Sequence, residues 1–214
     1  MGGRRMLGDA GRDAILPARG VYFFFEPGET RTASGEGDRV VRVGMHSALT
    51  PDRRALSARL SQLHGGASGR GAHRGSIFRL LVGEALLEQS GRSLPSWGKG
   101  IGPRAAAREL GQTLAWIRAQ EEPLEAEVSQ YIGKMSVVWV DTTQARSPSR
   151  LRSYFERNCI ALLTQDIEGC RDAPSPAWLG RFSRRDRVRA SGLWNNNFVG
   201  KPYDPELLTA LAAF

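Results

Sequence analysis

Cysteine is scarce in this chain: Cys159 and Cys170 are the only two among 214 residues. Two thiols are too few for a disulfide scaffold, and they lack metal-site spacing. They are expected to be ordinary thiols in a reducing cytoplasm. No run of about 18 apolar residues occurs, which excludes a helical membrane span. Arg4-Arg5 near the start is not followed by an apolar run, so a secretion signal is not expected and the cytoplasm is the expected location. Lysine is nearly absent too. Lys99, Lys134 and Lys201 are the only three, which leaves 27 of the 30 basic residues as Arg against 22 acidic ones, a net charge of +8. A planar guanidinium matches phosphate oxygens better than an ammonium does. A codon-biased genome would give the same Arg excess, so composition permits a nucleic-acid partner without demonstrating one. Apolar content of 41% is ordinary, and the length suits one domain with a sizeable core.

The stretch from Gly20 to Gly44 organises what is present. Val21-Tyr22-Phe23-Phe24-Phe25 is β-branched and aromatic, and Val40-Val41-Arg42-Val43 is mostly β-branched. Pro27-Gly28 and Ser34-Gly35-Glu36-Gly37-Asp38 supply turn residues between them, so an antiparallel hairpin with a long loop is expected. Residues 1–17 are Gly- and Arg-rich and read as a poorly ordered lead-in. Thr50-Pro51-Asp52 starts a helix whose Leu56, Leu60 and Leu63 face the core, and Gly65-Gly66 stops it. Arg59 then lies beside the buried stripe, with His64 at the helix end. The Gly-rich loop 65–75 carries Arg70, His73 and Arg74. Residues 76–88 form an amphipathic helix that includes Arg79. A second helical pattern runs from Pro103 through Gln120 and a third from Glu122 to Tyr131, so about 85–130 reads as an α-helical insertion. Residues 135–141 make a third strand. A helix over 151–163 follows, with Leu151, Phe155, Cys159 and Leu162 on its stripe and Glu156 off it. The basic run Arg181, Arg184, Arg185, Arg187 and Arg189, then Asn195-Asn196-Asn197, and a short terminal helix from Pro205 complete the chain.

Gly20-Val21-Tyr22 opening one strand and Val43-Gly44 closing the next resemble the GIY-YIG nuclease family. The resemblance extends over nearly the whole chain. It implies an α+β fold, a small three-stranded antiparallel sheet flanked by helices, here with the helical insertion of an elaborated, restriction-endonuclease-like branch. It also implies a site in which Tyr22, Arg59, His64, Glu156 and Asn195 are catalytic, with Glu156 holding Mg²⁺ (or Mn²⁺). Two departures stand out. Arg42 occupies the place of the second signature tyrosine, with His46 nearby as a candidate replacement for the missing hydroxyl. Tyr131-Ile132-Gly133 spells that second signature literally, but at the end of a helical stretch far beyond the hairpin, and is discounted.

The chemistry implied is DNA phosphodiester hydrolysis. Glu156 would anchor the metal, Arg59 would face the phosphoryl oxygens, Tyr22 with His64 or His46 would handle the attacking water, and Asn195 would orient the phosphate or a catalytic side chain. Arg42, His46, Arg70, His73, Arg74 and Arg79 on one flank, and Arg184, Arg185, Arg187 and Asn197 on the other, would contact DNA. Each residue also has a structural reading: Tyr22 as a strand aromatic, Arg59 as a solvated helix residue, Glu156 paired with Arg152 one turn away, His64 closing a helix, Asn195 capping a turn. The alternatives to an enzyme are a catalytically weak or inactive nucleic-acid-binding module on the same fold, and a protein-interaction domain. A monomer suffices for a nick, and a homodimer suits a double-strand cut. Convergence of Tyr22, Arg59, Glu156 and Asn195 in one cleft is the structural expectation that separates these readings.

Overall fold

The computed structural model describes residues 3–10, 19–45, 55–66, 69–166, 169 and 171–214. The hairpin forms, and its strands are longer than the sequence pattern suggests. Strand β2 spans Gly20–Thr30 and β3 spans Asp38–Met45. The chain reverses over 31–37, where Arg31 N–H donates to the carbonyl of Gly37 (2.8 Å), and not at Pro27-Gly28. The reason lies in two carboxylates that flank that dipeptide. Glu26 is buried, its Oε2 accepting from the indoles of Trp178 (3.2 Å) and Trp194 (3.3 Å) and its Oε1 from the Tyr131 hydroxyl. Glu29 is buried against Arg39 and Ser175. Anchored on both sides, Pro27-Gly28 is carried through as an irregularity in the ladder, with Gly28 at φ 85°. Tyr131, the discounted signature tyrosine, serves as a clamp for Glu26.

Strand β4 (Ser136–Asp141) pairs antiparallel with β2, so the three expected strands form one sheet. A fourth is added at the edge: β1 (Arg5–Met6) pairs antiparallel with β4, giving the order β1-β4-β2-β3. Part of the segment read as a lead-in is therefore built into the fold, and Leu7, the first residue of the short helix α1 (Leu7–Ala10), is 1% exposed.

The signature glycines are explained by close approach. A Cβ on Gly20 would come within 2.6 Å of the Val140 carbonyl oxygen on β4. One on Gly44 would come within 2.6 Å of the Tyr22 ring, which lies across that glycine in register. Only glycine lets the Tyr22 ring lie flat on β3.

Among the described residues the helices are α1, α2 (Ala55–His64), α3 (Ile77–Gln89), α4 (Pro103–Leu110), α5 (Leu114–Gly133), α6 (Pro148–Thr164), α7 (Asp186–Ser191) and α8 (Glu206–Ala212). None is long and apolar enough to cross a membrane. The pattern over 103–120 divides into two helices because Gly111, at φ 62°, ends α4 and the Thr113 hydroxyl caps α5. One face of the sheet, with Tyr22, Phe24, Val137 and Trp139, packs on α2, α3, α5, Trp178 and Trp194. The other, with Val21, Phe23, Val43 and Val140, packs on Phe155, Cys159 and Ile160 of α6. Helices α3 and α5 thus share the main core, while α4 has a small cluster of its own with Ile117.

Residues expected to touch DNA tie these helices together. Arg79 is fully buried, and it donates to Glu125 Oε2 (2.6 Å from Nη2), the Glu125 carbonyl (2.8 Å), Ser129 Oγ (3.0 Å) and the Leu63 carbonyl (2.8 Å). His73 is buried, stacked on Trp97, and bonded to Glu125 Oε1 through Nδ1 (2.8 Å). Its Nε2 accepts from Gly98 N–H (3.1 Å), so Nδ1 carries the proton. Arg74 forks onto Glu121 (2.6 and 2.7 Å) and also donates to the carbonyls of Ser96 and Lys99. Their hydrogen-bonding capacity is spent inside the fold, which corrects the expectation of DNA contact for His73, Arg74 and Arg79. Burial pushes the Glu125 carboxyl up, but the His73 and Arg79 hydrogen bonds outweigh burial and hold it below the ordinary range. Removing the carboxylate would strand Arg79 without a counter-charge, which costs about 3–5 kcal/mol. Glu125→Ala is therefore expected to lower Tm by about 6–20 °C, at roughly 2–4 °C per kcal/mol for a chain of this size; a change under a few degrees in thermal denaturation would contradict this account.

Candidate functional site

Tyr22 is fully buried on β2, and its hydroxyl has no hydrogen-bond partner. Two residues before Gly44, Arg42 lies opposite Phe24 in the β2–β3 ladder, so it shares the face of the sheet that carries Tyr22. Its guanidinium sits over the Phe78 ring, 4.6 Å from the centroid, and Nη1 donates to the Trp194 carbonyl. Its Nε is buried without a partner. Burial pulls the pKa of Arg42 below the ordinary guanidinium value. Tyr22 acts against that shift, Arg59 adds to it, and Glu156 opposes it. Tyr22, Arg59 and Glu156 thus lie in the electrostatic surroundings of Arg42.

Glu156 projects from α6, whose Phe155 and Cys159 bury the helix's apolar stripe against the sheet. The carboxylate is half-buried and accepts from the backbone N–H of Met45 at the end of β3. Burial raises its pKa above the usual carboxylate range, while Arg42, the Met45 N–H and Arg59 pull the other way. Among the described residues it forms no direct ion pair. Arg152, one turn earlier, is not among the charges that act on it, so the simple helix-surface pair does not account for Glu156.

Arg59 comes from α2, half-exposed, and its Nη1 is steered by Gln62 Oε1 (2.7 Å) and the Gly75 carbonyl (3.3 Å). Asn195 is nearly buried and makes a two-point bond to the outer edge of β3: Nδ2 donates to the Val43 carbonyl (2.8 Å), and Oδ1 accepts from Val43 N–H (3.0 Å). Trp194 N–H donates to the Val41 carbonyl (2.7 Å). The 194–195 segment therefore covers the sheet edge and holds the carbonyl that receives Arg42. Asn195 sits beside the site as a clamp on its frame.

His64 packs at the far end of α2, near the glycines of α5 and α1; a Cβ on Gly133 would lie 3.0 Å from its Nε2, and one on Gly8 3.8 Å. It is not among the groups acting on Arg42 or Glu156. His46 lies outside the described residues, as does Cys170. The structure thus groups Tyr22, Arg42, Arg59 and Glu156, sets Asn195 against their backbone, and places His64 elsewhere. Arg42 is the member that sequence comparison treated as a departure. The signal that finds it is register, since two residues before a signature glycine is the same face of the sheet.

Arg184, Arg185, Arg187 and Asn197 are exposed, and so is Arg70, in contact with Glu122 (2.9 Å). Arg184 reaches Glu88 (3.2 Å), and Arg187 donates to the Asn196 carbonyl (3.3 Å). Exposed pairs of this kind exchange readily with other anions, so this basic face is open to a polyanion.

A protein-family model described as the GIY-YIG domain matches residues 1–214. Comparison with curated proteins and with solved structures gives no match. With the signature strands in register, an α+β architecture and a full-length match, the chain belongs to the GIY-YIG domain family, a nuclease-type superfamily.

Proposed function

We propose that the protein is a metal-dependent endonuclease that hydrolyses DNA phosphodiester bonds, with Mg²⁺ (or Mn²⁺) as cofactor. The observation that carries this reading is the convergence of Tyr22, Arg42, Arg59 and Glu156 from two strands and two helices. Packing alone gives no reason to gather two guanidiniums, a carboxylate and an unpaired phenol, and each costs free energy to bury.

The donor set fits magnesium. That ion takes one or two carboxylates and completes its shell with water and substrate phosphate oxygens. Glu156 is a hard, half-buried carboxylate with no direct ion pair among the described residues, and no group of three or more His, Cys, Asp or Glu residues is gathered among them. Glu156 would hold the ion, and when bound the metal supplies stabilisation of charge on the leaving oxygen. The chain's own groups do the rest. Arg59, half-exposed and steered by Gln62, contacts the phosphoryl oxygens, where charge grows in the transition state. Arg42, fixed by Phe78 and the Trp194 carbonyl, adds a second positive charge behind it. The Tyr22 hydroxyl, free of protein partners, can orient the attacking water. Asn195 positions Arg42 by pinning Trp194 to β3. Arg184, Arg185, Arg187 and Asn197, with Arg70 on the other flank, bind the DNA backbone without reading its sequence.

The second reading is a catalytically weak or inactive nucleic-acid-binding module, favoured by the replacement of the signature tyrosine by Arg42. A plasmid nicking assay with and without Mg²⁺ separates the two. Three outcomes are expected of the enzyme. Arg59→Ala lowers kcat by about 10²–10³-fold, the range for loss of one donor to developing charge, with DNA affinity largely kept. In the metal-free protein the Glu156 carboxyl titrates above the usual carboxylate range, because burial raises its pKa, and added Mg²⁺ lowers that midpoint, since the metal binds only the ionised form; a midpoint that ignores Mg²⁺ would remove Glu156 from metal binding. Glu156→Gln abolishes cleavage without lowering Tm. A raised carboxyl pKa means the folded state holds the proton more tightly than the unfolded chain, so the ionised group costs stability once the pH exceeds the folded pKa. The neutral isostere removes that cost at neutral pH. A destabilised Glu156→Gln, or one that still cleaves, would argue for a purely structural Glu156.

A further inference from the structure

One turn before Glu156 on α6, Arg152 is 3% exposed, and its Nε and Nη1 are both enclosed without a hydrogen-bond partner. An arginine has five donors and cannot shed its charge. The other buried arginines among the described residues are compensated, with only the Nε of Arg39 and of Arg42 left over: Arg79 by Glu125, Arg39 by Glu29, Arg42 by the Trp194 carbonyl and a ring face. Arg152 is not. Burial lowers its pKa, and the charge that acts on it is a second cation, Arg19, which pushes the same way. Arg19 is half-buried and held at the head of β2, where its carbonyl accepts from Thr142 N–H (3.0 Å). An enclosed guanidinium without a partner among the described residues, with a second cation acting on it, is an arrangement that an anion completes.

We propose that Arg152 and Arg19 form a second phosphate subsite, which grips the DNA backbone one or two nucleotides from the phosphate held at Glu156. The spacing follows from the helix. Four residues on α6 advance about 6 Å along its axis at 1.5 Å each. Successive phosphates of one strand advance about 3.4 Å along the duplex. A strand whose scissile phosphate lies at Glu156 and Arg59 thus presents a neighbouring phosphate near Arg152. The position of that neighbour rests on the nuclease reading; anion binding by Arg152 does not.

The test uses wild type, Arg152→Met, which keeps the length and apolar stem, and Arg19→Gln. The first readout is thermal denaturation in inorganic phosphate against chloride at equal ionic strength. Phosphate is expected to raise the wild-type Tm by about 2–4 °C at a concentration several times its Kd. Arg152→Met is expected to lose that shift and to start from an equal or higher Tm, because an uncompensated buried charge has been removed. The second readout is the salt dependence of DNA binding in the Glu156→Gln background. The slope of log K against log[salt] is expected to fall in magnitude by about 0.9 for the loss of one duplex phosphate contact. A phosphate shift and a slope both unchanged in Arg152→Met overturn the subsite. A shift lost with the slope unchanged overturns its assignment to DNA and leaves a site for free phosphate. Should Arg152→Met fail to fold, Arg19→Gln on the half-buried partner carries the same two expectations, and wild-type behaviour there overturns the proposal. Cleavage by Glu156→Gln at the wild-type rate would defeat the nuclease reading instead, and the phosphate shift would still judge Arg152.

Discussion

A guanidinium buried in the sheet sets the terms for the rest of the site. Arg42 has no carboxylate within hydrogen-bonding distance among the described residues, and its fixed partners are a backbone carbonyl and an aromatic face. Both come from far away in sequence, Phe78 from α3 and Trp194 from the C-terminal region. Keeping them in place requires the two-point clamp of Asn195 on Val43 and the core packing of Trp194 against Trp178 and Phe78. The same clamp closes the outer edge of β3, which would otherwise present unpaired backbone groups to another chain. A catalytic frame and a protected sheet edge are here one device.

That device explains why the chain tolerates arginine where its family signature has tyrosine. A tyrosine needs one partner for one hydroxyl. An arginine needs an acceptor and a means of bearing charge: the Trp194 carbonyl and the Phe78 ring hold it, and Glu156 offsets its charge. The substitution changes the electrostatics of the site more than its shape. Arg42, with Arg59, draws the pKa of Glu156 back toward the ordinary range against the effect of burial.

The hairpin and the order of the helices were legible in the sequence because each leaves a local trace: β-branched alternation, leucines at helical spacing, glycines at close approaches. What was illegible is which arginines face outward. Arg79 sits in an amphipathic helix, and Arg74 and His73 in a Gly-rich loop, contexts that look solvated until Glu121 and Glu125 arrive from about fifty residues away. The turn was misplaced for a related reason, since Glu26 and Glu29 are held by tryptophans, a tyrosine and an arginine from three other segments. The edge strand at Arg5–Met6 is two residues long and has no periodicity to read. Asn195 was placed near the site by its motif, but its role as a clamp depends on the free edge of β3, which only the strand order reveals.

The distribution of satisfied and unsatisfied charge then separates scaffold from function. Glu125 accepts from both Arg79 and His73, and Glu29 from both Arg39 and Ser175, so both carboxylates are paired, although the Arg39 Nε has no partner among the described residues. Among the described residues the Tyr22 hydroxyl, the Arg42 Nε and two nitrogens of Arg152 are enclosed and unpaired, and so are the Arg39 Nε, Glu84 Oε2, Ser96 Oγ and Thr142 Oγ1. Glu156 is buried enough to raise its pKa despite two neighbouring arginines. A leftover polar atom costs about 1–3 kcal/mol, and more for a charge, so a cluster of them along β3 and one side of α6 is a large fraction of the net stability of a domain. Packing gains nothing from that expense. An anion that reached these donors would recover that expense. On the nuclease reading proposed above, a phosphate backbone is the ligand that would supply those missing partners.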